Sequence, residues 1–156
     1  MRLYVHSPGS NEVTAIENAD ANTSLGEQIS IAEGDFVFVD DNNDPVDITL
    51  TLTQITITVE KHHHHVHHHP CKEIKVEVMY NGRPVFINAV PNGRIEDVLM
   101  RAIAELGIDP VSAADLVLRV PGTDQDLSGS TFVGELLPRG DCSLVLNLLA
   151  GNREHG

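Results

Sequence analysis

Seven histidines occupy eight consecutive positions, His62, His63, His64, His65, His67, His68 and His69, interrupted only by Val66. Neutral imidazole is a common ligand for zinc, nickel and copper, and alternate residues of a strand would bring several rings to one face. The run lacks the mixed Cys and His spacing of a structural zinc site, and the neighbouring Cys71 does not complete a tetrahedron. Adventitious metal binding is all that this pattern implies, so no metal site and no cofactor is assigned. Asp40-Asp41-Asn42-Asn43-Asp44 has the oxygen ligands of a calcium loop, but neither its glycine nor its distal glutamate, and reads as a solvated turn. His6 and His155 are isolated. Cys142 opens an apolar segment and reads as a small core residue. No Ser-His-Asp order and no activated cysteine defines a nucleophile, so the chain is not read as an enzyme. Taken alone, Leu148-Leu149-Ala150-Gly151 is a strand end stopped by glycine.

Whatever chemistry these residues do must be positioned by a chain of 156 residues, enough for one mid-sized domain or two small ones. Aromatics make up 4% and tryptophan is absent, so the core is built from Val, Ile and Leu, which suits sheet with a little helix. The net charge is −13, concentrated in residues 1–60, where Arg2 is the one base among the acids. A surface for nucleic acid needs a basic footprint and is excluded. The acidic half implies solubility, or steering toward a basic protein partner. No apolar run reaches the roughly 20 residues of a membrane span, and Met1 to Ser10 has no apolar signal-like core. Two cysteines fit free thiols in a reducing cytoplasm, with a single disulfide left open.

The second half has clear periodicity. Glu73 to Met79 alternates apolar and polar residues, as a half-buried strand does. Asn81-Gly82 is a hairpin signal, and Pro84 to Val90 forms the return strand. Ile95, Val98, Leu99, Ala102, Ile103 and Leu106 fall on one helical face, ended by Gly107 and Pro110. Asp115 to Val120 and Ser143 to Leu149 are further strands. A sheet wrapped around this helix, with the last strand parallel to the first, buries the helix face most directly. The first half repeats the order more weakly. Arg2–His6, Glu12–Glu17 and Phe36–Val39 read as strands, Ser24–Ile31 as a short helix and Ile55–Glu60 as a last strand. Thr51-Leu52-Thr53-Gln54-Ile55 parallels Thr131 to Leu136, so the halves read as a diverged internal repeat. The fold class is α+β: two tandem β-grasp domains, the first diverged. Residues 1–60 form the first domain, 61–71 a His-rich connector, 72–151 the second domain and 152–156 a short extension.

In this frame two segments resemble ubiquitin. Arg94-Ile-Glu-Asp-Val98 leading to Gly107-Ile-Asp-Pro110 resembles its helix and the turn that follows. Cys142-Ser-Leu-Val-Leu-Asn-Leu-Leu-Ala-Gly151 resembles its last strand and tail. The two-domain arrangement is similar to the interferon-induced tandem modifier of vertebrates and to the tandem ubiquitin-like proteins of bacterial antiphage operons. The lysine-poor sequence, without a Leu-Arg-Leu-Arg-Gly-Gly end, favours the bacterial group.

The resemblance implies a protein modifier processed at its C-terminus. Gly151 falls at the conjugated glycine, Ala150 replaces the glycine before it, and cleavage is expected between Gly151 and Asn152. Gly156 is the alternative terminus. Asn147, Leu148 and Leu149 are the tail residues an activating enzyme would read. Arg119 and Val145 fall on the partner-facing sheet surface. The implied partners are a ubiquitin-activating-like enzyme, a ubiquitin-conjugating-like enzyme, a JAB-type metalloprotease and target proteins, phage structural proteins among them. No nucleic acid and no membrane is implied. A non-conjugated scaffold and a sulfur carrier are the rival readings. The last strand must stay paired to about Leu146 to keep the core closed, and Gly151 stands about 17 Å beyond that residue in extended chain. Lys61, Lys72 and Lys75 are the lysines that could accept a second copy. Because the histidine run is assigned no metal, a chelator should leave the melting temperature unchanged, and a fall of more than a few degrees would show that metal holds the fold.

Overall fold

The computed structural model describes residues 1–55 and 62–151. Alternation sets the strands. In β5 (Ile74–Tyr80), Ile74, Val76 and Val78 are fully buried, while Lys75 points outward. Asn81 and Gly82, both at positive φ, turn β5 into β6 (Arg83–Ala89). This is the two-residue hairpin connection that matches strand twist, and it asks for residues that tolerate the left-handed region. Helix α3 (Ile95–Leu106) follows, burying Ile95, Val98, Ala102 and Leu106. Its end is closed by hydrogen bonds from Gly107 N to Ala104 O and from Ile108 N to Ile103 O. Asp109 then caps a single helical turn, α4 (Pro110–Ala113), with Pro110 in the first turn, where its missing N–H has no cost. Strand β7 (Leu116–Arg119), a 3-10 turn (Val133–Leu136) and β8 (Ser143–Ala150) complete the half. The sheet order is β6-β5-β8-β7, with β5 and β8 parallel, and α3 covers one face.

The first half has the same plan. Strands β1 (Arg2–His6), β2 (Val13–Ile16), β3 (Phe36–Val39) and β4 (His63–His69) form a sheet in the order β2-β1-β4-β3, with β1 and β4 parallel. The helix α1 (Leu25–Gln28) is one turn, against twelve residues in α3. A second turn, α2 (Leu52–Ile55), stands where the 3-10 turn stands in the second half. An isolated bridge Ser24–Thr51 also matches Arg94–Phe132: each joins the residue before the helix to the residue before the later turn. The two halves are tandem β-grasp domains of an α+β fold, as expected. Each has its own apolar core, the first around Leu3, Leu25, Val37, Leu52 and Val66.

Three expectations are corrected. The histidine run is not a connector: His63–His69 is the inner strand β4, paired on both sides, and the chain between β4 and β5 is only Pro70 to Glu73. The last strand expected at Ile55–Glu60 begins in helix α2, and residues 56–60 lie outside the described ones, as does Lys61. The cysteines are not free thiols: Cys71 and Cys142 form a disulfide with a Cα–Cα distance of 5.7 Å. Geometry makes this natural, because β5 and β8 are parallel neighbours, Cys142 directly precedes β8 and Cys71 lies three residues before the start of β5. No helix among the described residues is long and apolar enough to cross a membrane. The bond closes a loop across a sequence separation of 71, for which chain-entropy arithmetic gives about 4 kcal/mol. Paired Cys71→Ser and Cys142→Ser substitution should therefore destabilise the oxidised protein by roughly 2–4 kcal/mol in urea unfolding. An unchanged midpoint would assign the bond no part in stability.

Candidate functional site

The tail is built from β8. Leu144, Leu146 and Leu148 face the core, and Leu148 is 3% exposed. Ser143, Val145, Asn147 and Leu149 alternate on the outer face, as a strand requires. Pairing with β5 ends at Met79–Asn147, but pairing with β7 runs on through Leu118–Leu148, Val117–Leu149 and Leu116–Ala150. Gly151 N then donates to Asp115 O at 2.8 Å. The strand expected over Ser143–Leu149 is thus β8 to within one residue, and β7 carries its pairing four residues past Leu146. Asn147 and Leu149 are partly exposed, Leu148 is in the core, and Ala150 is exposed. Asn152 and Gly156, the far side of the expected cut and the alternative terminus, lie outside the described residues, as does His155.

Of the two expected partner-facing residues, Val145 is 43% exposed on the outer face. Arg119 is mostly covered, and its Nε donates to Asp126 Oδ1 at 2.6 Å. Phe86, which the sequence reading passed over, is more exposed than Val145 and carries Lys75 Nζ 4.7 Å above its ring. Both Phe86 and Val145 are paired with Glu77 across the sheet, so they form one row. Alternation from the buried Ile87 could have placed Phe86 outside.

The second cluster is β4 itself, at the junction of the domains. His64, Val66 and His68 share the face of Val37 and Val39 by register, while His63, His65, His67 and His69 share the opposite one. His69 is almost fully buried; its Nδ1 accepts from Cys71 N, so Nε2 carries the proton and donates to Leu137 O at 2.9 Å. His67 stacks on His6 with centroids 4.3 Å apart, and both meet the edge of Phe132, whose face lies under Arg94. His64 Nδ1 donates to Asp40 Oδ2 at 2.6 Å. His68 bridges Ser7 Oγ and Asp35 Oδ2, and Arg139 grips the same carboxylate with two bonds of 2.6 Å. Asn92 donates to Asp40 O and Asn42 O, adding a link between the domains. Burial alone would raise the Asp35 carboxyl, but Arg139 and His68 hold it below the usual range. Among the described residues, no group of three or more His, Cys, Asp or Glu is placed to hold a metal ion.

The topology defines two β-grasp domains, and the second resembles ubiquitin-like domains. Residues 75–151 match the family described as BilA ubiquitin-like domain 2, and the match ends at Gly151. No curated protein matches the chain. Among solved structures, a ubiquitin of Caldiarchaeum subterraneum is 14% identical over 53% of this chain and 99% of its own, with a TM-score of 0.40. A protein designed de novo on ubiquitin is 18% identical over 54% of this chain and 95% of its own, also at 0.40.

The buried histidines impose a pH dependence. Burial lowers the His67 pKa from 6.5 to about 2, with His6, His65, Arg94 and His68 adding to the effect. Burial likewise lowers His6 to about 4. A histidine held neutral by the fold contributes stability that is fully present above pH 6.5 and is lost as pH falls toward its folded pKa. His67 alone should remove about 2 kcal/mol between pH 7 and pH 5. Urea unfolding at the two pH values should show that loss, and His67→Leu should reduce it. An equal loss in the variant would place the proton uptake elsewhere.

Proposed function

We propose that this protein is a ubiquitin-like modifier whose reactive end is the Gly151 carboxylate, and that it acts as a substrate of conjugation rather than as a catalyst. The observation that carries the reading is the second domain itself: its last strand leads straight to Gly151, where the family match also ends. In this reading a JAB-type metalloprotease cuts between Gly151 and Asn152. On an activating enzyme the freed carboxylate then attacks the α-phosphorus of ATP, displacing pyrophosphate and leaving the acyl adenylate. A cysteine thiol displaces AMP, the thioester passes to a conjugating enzyme, and a target amine displaces the thiol. Glycine at the end keeps the reacting carbonyl free of a side chain in a narrow channel, and Ala150 adds only a methyl. Asn147 and Leu149 remain the residues such an enzyme would read on the outer face. The setting is antiphage conjugation in a bacterial cytoplasm, where nucleotide triphosphate is available. The Cys71–Cys142 bond must then resist thiol buffers from its exposed Cys142 side, Cys71 being buried.

One observation favours the non-conjugated scaffold: the tail is paired and the domains are locked together, as a binding module needs. The two readings separate in one reconstitution with the activating enzyme. Gly151→Glu should lose both trimming and thioester formation. A chain ending at Gly151 should form the thioester without any protease. Failure of that truncated chain, with success of the full-length one, would make Gly156 the reactive end. Failure of both would favour the scaffold.

A further inference from the structure

The last residues of β8 lie in a fitted seat. A Cβ built on Gly151 would come within 3.1 Å of Val117 Cγ1 and 3.2 Å of Asp126 Oδ2. Each is tighter than nine in ten real Cβ contacts, so the seat accepts glycine and crowds anything larger. The backbone is held as well, by the bond from Gly151 N to Asp115 O. The acidic wall of the seat is fixed in its turn, because Arg119 holds Asp126 through its other oxygen. Among the described residues only β7 pairs with this segment from Leu148 onward, since the β5 ladder has ended at Asn147.

We propose that Asp115, Val117 and the Arg119–Asp126 pair form a dock for the protein's own tail, and that Leu149–Gly151 must be peeled from it before Gly151 can be activated. The inference rests on the conjugation reading for its purpose, but not for its physics. Peeling breaks the Leu149 and Ala150 pairings and the Gly151 bond, and it stops at Leu148, whose side chain is anchored in the core. Three freed residues reach about 10 Å. Glycine at position 151 is thus required twice, once by the channel and once by the dock. Arg119 is a positioning residue, acting on the tail through Asp126.

Amide hydrogen exchange on the full chain tests the dock without any conjugating enzyme. Docked, the amides of Leu149 and Gly151 should exchange at least ~100-fold more slowly than in a free peptide of the same sequence. Gly151→Val should abolish most of that protection while the amides of β5 stay protected, which shows that the domain remains folded. Arg119→Leu should weaken it in the same direction. Peptide-like exchange of Leu149 and Gly151 in the unmodified chain would overturn the dock and leave the conjugation reading standing. Protection unaltered by Gly151→Val would overturn it too. Protected amides in a chain that no activating enzyme accepts would sink the conjugation reading and keep the dock.

Discussion

A strand of histidines can be the inner strand of a sheet only if every ring is kept neutral or given a partner. Burying an unpaired charge costs far more than a small domain can spare. The structure meets the condition ring by ring. His64 and His68 donate to carboxylates, His69 accepts from one backbone group and donates to another, and His6 and His67 stack in an aromatic pile closed by Phe132. Much else follows from this strand. Its one face, through Val66, joins the first core; its other face carries His67 to Phe132 of the second domain. The orientation of the two domains is therefore set by ring packing and short polar bonds, with Asp35–Arg139 fastening one end and Asn92 contributing further bonds.

The second domain was legible because its periods are clean. The hairpin at Asn81-Gly82, the helix face from Ile95 to Leu106 and the alternation of β8 each stand where the residues put them. The first domain was legible in its order but not in its last strand. Histidine carries no apolar period, so the run read as polar punctuation. Val66 was the available signal: one apolar residue amid the rings, opposite Val5 and Val39. The disulfide was not read, although the expected parallel pairing of the Glu73–Met79 and Ser143–Leu149 strands already sets Cys71 and Cys142 near one another. The tail was legible almost to its end, since β8 matches the expected Ser143–Leu149 to within one residue, but its pattern did not give the closing bond from Gly151 N to Asp115 O.

The two domains share a plan but not every part of it. Sheet order, the parallel inner pair and the bridge before each helix are common to both. The helix is not: a one-turn α1 covers the first sheet with little more than Leu25 and Ile29, and loop side chains such as Val46 and Ile48 fill the remainder. The first domain accordingly gives up helical packing while keeping the sheet that holds β4 against its neighbour.

The Cys71–Cys142 bond also sets a mechanical path. In the proposed role as a modifier joined to a target through Gly151, the protein would be pulled from that end whenever the target is drawn into an unfolding machine. Tension entering at Gly151 runs down β8 to Cys142 and crosses the sulfur bridge to Cys71, bypassing residues 72–141. From Cys71 it passes within a few residues into β4. The helix α3 and strands β5, β6 and β7 then lie outside the line of force, and the load falls on β8 and the histidine strand. Under reducing conditions the same pull would instead unravel the second domain from its tail inward.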